Sequence, residues 1–183
     1  MSRREEVLAA AVHVLGEYGL SGFSHRKVDH RAGLPEGTTS NYFRTRAALI
    51  EASVEQLVAG DFQVWERAGA PQLSSTEKLV DLACGFVEWA LTDGRNRSCA
   101  QIALLEAAIT HPGVSAVLRR ARSQIENQAI DICASIGIGS IGTVILLDAT
   151  DALIFRQLSL SEAHFDPRVY FETLIEGLAK SGI

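Results

Sequence analysis

Apolar positions recur at intervals of three and four residues almost from end to end, and no stretch alternates as a β-strand would, so the chain reads as all-helical. Over residues 3–18, Val7, Leu8, Ala11, Val14, Leu15 and Tyr18 line one face, and Gly19 predicts the C-cap. Ser24 predicts the N-cap of a short helix to about Arg31, Ala32-Gly33-Leu34 a tight turn, and Pro35 the start of another short helix carrying Gly37 to Phe43. Thr45 can cap a long helix whose stripe runs Ile50, Val54, Val58, Phe62, Trp65 until Gly69-Ala70-Pro71 stops it. Ser74 and Glu77 read as a capping box opening a helix to about Thr92. Further helices over residues 98–109, 114–136, 141–160 and 167–180 bring the expected total to about nine.

The 141–160 helix is apolar nearly all the way round and approaches the length of a membrane span. Asp148, Asp151 and Arg156 would each be costly in a bilayer, which points to a buried helix and no membrane partner. A helix apolar on every side needs cover from more than one direction, and a second copy of the chain is a natural source. Val144, Leu147 and Phe155 of this helix, with Phe171, Leu174, Ile175 and Leu178 of the last one, form the expected face of a two-fold homodimer. The other reading is that they fill the protomer's own core.

Composition adds little until charge is mapped along the chain. The hydrophobic fraction of 47% and charged fraction of 21% are ordinary for a globular protein. The net charge of −5 speaks against indiscriminate nucleic-acid binding, yet residues 1–50 hold seven basic and five acidic groups, a balance of +2 that leaves −7 for the remainder. Cys84, Cys99 and Cys133 are an odd number, far apart, and read as buried thiols of a cytoplasmic protein. No secretory signal is visible, because His13, Gly16 and Glu17 interrupt the first apolar stretch. A nucleophile elbow, a phosphate-cradling loop and a His-Glu metal motif are all missing, so no catalytic residue, metal or cofactor is expected and the chain does not read as an enzyme. Gly137-Ile-Gly-Ser-Ile-Gly142 mimics a dinucleotide loop but follows a predicted helix, not a strand.

The informative stretch is Ser24 to Arg46. Two short helices meet at a glycine turn, and the second carries Thr38, Thr39, Ser40 and Asn41, side chains too small and polar to build a core. Short donors and acceptors of this kind suit base edges and thymine methyls in a DNA major groove. Tyr42, Arg44 and Arg46 at the end of that helix are placed for backbone phosphates. The pattern is that of a helix-turn-helix.

Ala32-Gly33-Leu34-Pro35, Gly37-Thr38, Asn41-Tyr42-Phe43, Arg46 and Leu49 together resemble the signature of the TetR family of transcriptional regulators, over about residues 5–50. That resemblance implies a helix-turn-helix DNA-binding domain at 1–46 and a helical effector-binding and dimerisation domain at 47–183. It also implies a homodimeric regulator, usually a repressor, released from double-stranded operator DNA by a small molecule. By position, Gly37 corresponds to a close backbone approach to DNA, Thr38 and Tyr42 to phosphate contacts, and Ser40 and Asn41 to groove-facing positions. Arg46 corresponds to the basic residue opening the fourth helix, and Arg26 to another position that often touches DNA. Three residues depart from the family pattern: Glu36 replaces a common lysine, Asp29 a small alanine, and Thr39 a leucine. For the effector, Phe62, Trp65, Phe86 and Trp89 are the expected pocket walls, with Gln101, Glu106 and Asn127 as polar contacts. The competing reading is an all-helical ligand-binding or adaptor protein that no longer binds DNA.

Overall fold

A computed structural model describes residues 2–181, and among them nine α-helices and one 3-10 turn account for the regular structure. They are α1 (Arg3–Tyr18), α2 (His25–Ala32), α3 (Thr38–Tyr42), α4 (Arg46–Arg67), α5 (Thr76–Leu91), α6 (Arg95–Thr110), α7 (Pro112–Ala134), α8 (Ser140–Leu160) and α9 (Pro167–Ser181), with the turn at Ala70–Gln72. No strand occurs among the described residues, and no helix there is long and apolar enough to cross a membrane.

Caps explain most of the boundaries. Ser2 and Glu5 form a reciprocal capping box on α1, each side chain meeting the other's backbone N–H. Ser24 caps α2, and the Thr45 hydroxyl accepts from Ala48 N–H at the start of α4. At three starts the chain differs from expectation. Pro35 lies in the turn before α3, because Gly37 takes φ +91° and only Thr38 onward is helical. The cap of α5 is Ser75, which accepts from Lys78 N–H and puts Glu77 one position too early to close a box. Ser74 instead receives the Lys78 ammonium. Helix α6 also begins earlier than expected, at Arg95.

The chain forms two compact units that do not follow its linear order. The first contains the residues up to Gly60 together with Gly94–Arg122, and the second contains Asp61–Asp93 and the residues from Ser123 on. In the first unit α1 buries Val7, Leu8, Ala11, Val14 and Leu15 as its periodicity predicts, whereas Tyr18 stays half exposed beneath the Lys27 ammonium, 4.2 Å from the ring centre. Helix α6 lies against α1 so closely that a Cβ on Gly16 would sit 2.1 Å from the Asn96 carbonyl oxygen. The Asn96 amide donates to the His13 carbonyl across the same contact, so only glycine fits at position 16.

The core of the second unit is built by α5, α8 and α9. Leu79, Val80 and Val87 of α5 meet Leu146, Leu153 and Ile154 of α8. Phe171, Ile175 and Leu178 of α9, expected at a subunit interface, are buried in this cluster, with Phe171 at 0% exposure. Their spacing of four and three gives α9 one apolar stripe, and α5 and α8 consume it within the protomer. Burying each such side chain is worth roughly 1.5–3 kcal/mol. Leu174 is half buried beside the same cluster, and Val144 and Leu147 on α8 are half buried.

Candidate nucleic-acid interface

The second turn of the Ser24–Arg46 stretch is organised around one buried carboxylate. Asp29, only 1% exposed, points from α2 toward the start of α3. Its Oδ2 accepts from Gly37 N–H at 2.8 Å and its Oδ1 from Thr39 N–H at 2.7 Å and from the Thr39 hydroxyl. Gly37 has no side chain with which to cap α3, so Asp29 does that work from another helix. At the other end, His25 Nε2 lies 2.7 Å from the Phe43 carbonyl oxygen. That oxygen can only accept, so Nε2 carries the hydrogen and donates.

Pinned on its buried side, α3 presents a different set of residues outward. Ser40, Asn41 and Tyr42 are exposed, Tyr42 by 45%, and Arg44 is exposed just beyond them. Gly37 is exposed, and Thr38 is half buried with its hydroxyl donating to the Pro35 carbonyl. Thr39, expected to face DNA, does not: it is fully buried and its hydroxyl is spent on Asp29. Two of the three family departures thus account for each other, since a carboxylate at 29 needs donors and a threonine at 39 supplies one more. The third is similar in kind. Glu36 pairs with Arg26 at 3.0 Å on the surface, so the Arg26 charge is partly answered within the protein.

Arg46 also differs from its expected role. Its guanidinium donates to the carbonyls of Leu20 and Phe23, tying the start of α4 to the α1–α2 connection. Arg4 stands over the Phe43 ring, 5.3 Å from its centre, and brings a cation near the end of α3 that sequence reasoning missed. Only packing of α1 against the α3 exit brings the two residues together, so spacing gave no signal for it. For Asp29 a signal existed, because two unusual polar residues flanked one turn.

In the second unit the four predicted aromatics form a continuous row. Ring centres are 5.7 Å apart for Phe62 and Trp65, 6.2 Å for Trp65 and Phe86, and 5.5 Å for Phe86 and Trp89. A cavity of about 270 Å³ opens beside its first two members, walled also by Ala70, Pro71, Gln128 and Ile132, with Gln63 and Glu66 at its polar edge. Phe86 and Trp89 continue the row without lining that cavity. Asn127 is exposed while its neighbour Gln128 supplies the amide, and Gln101 and Glu106 belong to α6 of the first unit. Among the described residues, no group of three or more His, Cys, Asp or Glu side chains is arranged to hold a metal ion.

Residues 74–181 match the family described as "Tetracyclin repressor-like, C-terminal domain". The chain is 28% identical over 148 residues to the HTH-type transcriptional regulator CymR of Pseudomonas putida, covering 75% of this chain and 68% of that one. Among solved structures, it superposes on a TetR-family member from Streptomyces coelicolor A3 with a TM-score of 0.77 at 24% identity, over 97% of this chain and 99% of that one. The multidrug binding protein EbrR complexed with ethidium gives a TM-score of 0.74 at 24% identity, over 97% and 99% of the two chains.

Proposed function

This chain belongs to the TetR family and is a DNA-binding transcriptional regulator, and from that premise we propose that it is a homodimeric repressor released from its operator by a small-molecule effector. The observation that supports the DNA-contacting assignment best is the outward row Ser40, Asn41, Tyr42 and Arg44 on a helix anchored from behind. Ser40 and Asn41 read base edges, Tyr42, Thr38 and Arg44 hold phosphates, and Gly37 lets the backbone approach. Arg4 joins the phosphate contacts from α1. Its setting is cytoplasmic, and the relative CymR is a transcriptional regulator.

The dimer face we propose is the exposed edge of α8. Ile141, Ile145, Asp148, Ala152, Phe155 and Ser159 are exposed at successive spacings of four and three residues, the pattern of a helix awaiting a parallel or antiparallel neighbour. Ile141 is 65% and Phe155 54% exposed in the single protomer. Val144 and Leu147 border this edge, and Val169 and Tyr170 extend it from the start of α9. Two-fold pairing presents two α3 helices, so the operator is a pseudo-palindrome.

The effector enters the cavity beside Phe62 and Trp65. Its size and its mixed aromatic and amide walls suit a small flat compound. EbrR, of the same fold, is a protein complexed with ethidium. Whatever factor the effector takes from operator affinity, the operator must take from effector affinity.

The test is fluorescence anisotropy against DNA flanking the chain's own coding region, over a salt series, with random duplex as competitor. Tight binding that resists competitor and weakens with salt is the expected result. Asn41→Ala changes the preferred sequence, and an Asn41→Ala variant with wild-type preference removes the base-reading assignment. Quenching of Trp65 emission by small aromatic compounds, abolished in Trp65→Phe, tests the cavity.

A further inference from the structure

We propose that His25 and Asp29, one turn apart on α2, are positioning residues that set the pose of α3 from both of its ends and thereby govern discrimination between DNA sequences without touching DNA. The proposal rests on α3 being the DNA-reading helix. At five residues α3 is too short to hold its own shape in water, and its N-cap glycine contributes no side-chain bond. The groups left over at its two ends need partners from elsewhere.

Both partners come from one face of α2, because residues four apart on a helix are neighbours. Asp29 collects the N–H groups of Gly37 and Thr39 and the Thr39 hydroxyl at the start of α3. His25 donates to the carbonyl of Phe43, the residue that ends it. Val28, on the same face of α2, is fully buried. The Asp29 carboxylate is 1% exposed and accepts three hydrogen bonds within the protein, so it neither meets a phosphate nor leaves the Gly37 and Thr39 amides free for one. Hydrogen bonds of 2.7–2.8 Å at both ends leave α3 little room to slide or tilt on α2. Ser40 and Asn41 hang from that pose, and a base contact misplaced by about an ångström is lost.

The test uses the full chain and a duplex that the wild type selects from a randomised pool, with affinity for it compared to affinity for random duplex. His25→Ala, which removes one hydrogen bond, and Asp29→Ala, which removes three, are each expected to lower that ratio about tenfold or more. Affinity for random duplex, which phosphate contacts carry, is expected to change by less than about threefold. Amide exchange should quicken across residues 37–43 while α1 stays protected. His25→Gln, whose side-chain nitrogen can donate to the same carbonyl, should recover most of the ratio, which a bulk loss of packing would not allow.

Folded variants that keep the wild-type ratio overturn the proposal, and so does an equal loss toward selected and random duplexes. If Asp29→Ala does not fold, Thr39→Val keeps the volume and removes one donor, and an unchanged ratio in it and in His25→Ala overturns the proposal equally. A wild type that selects no sequence at all removes the reading of α3 itself, and the proposal falls with it.

Discussion

Asp29 and Thr39 show how far a residue's type can mislead when its partner is unseen. Each alone is a departure from the family pattern; together they are one buried contact that closes the start of α3. Charge mapping likewise identified Arg44 and Arg46 as cations beside the DNA-reading helix but could not say which one the protein keeps for itself. The structure gives Arg46 to two carbonyls and leaves Arg44 exposed. Arg46→Ala is therefore expected to cost about 1 kcal/mol of stability, allowing for its exposure, and to lower the melting temperature. Arg44→Ala should leave the melt unchanged and reduce the slope of log affinity against log salt by about one. Melting curves and a salt titration on the two variants separate the roles, and identical behaviour would contradict the assignment.

Helices were legible from periodicity because a packed helix must show an apolar stripe; what covers the stripe was not. In sequence α8 is apolar nearly all round and α9 carries one stripe, yet neither says where its cover comes from: α9 spends its stripe against α5 and α8, while α8 keeps an exposed edge. Phe171→Ala is expected to destabilise the folded protomer by about 3–5 kcal/mol through the cavity it leaves. Phe155→Asp should instead yield monomers by sedimentation velocity with helical content intact, and an undiminished dimer would place the interface elsewhere. Boundaries were legible where a side chain does the capping, as at Ser24 and Thr45. They slipped where neighbouring serines compete, as at Ser74 and Ser75, or where a positive φ delays the helix, as at Gly37.

Across the whole molecule, burial holds two thiols in their neutral form. Desolvation raises Cys133, against a small opposing pull from the Thr143 hydroxyl, and raises Cys84 against the attraction of Arg168. A thiol raised in the folded chain lends stability that is fully present below the ordinary thiol value of about 8.5 and is lost as pH climbs through the folded value. Urea midpoints should accordingly fall on the alkaline side, and Cys133→Ala should flatten that fall; a Cys133→Ala profile parallel to wild type would exclude the thiol as its source. The arrangement of the first unit carries a different consequence, for modularity. Its 94–122 segment brings α6 to the side of α1 at Gly16, so the unit that carries α3 is not one contiguous stretch of sequence. Residues 1–60 expressed alone should show weak helical signal and no cooperative melt, because α1 loses the surface it leans on. Recombination that exchanges heads between such regulators would have to carry two separated segments at once, so operator preference in this chain is more readily altered by point changes on α3 than by shuffling whole pieces.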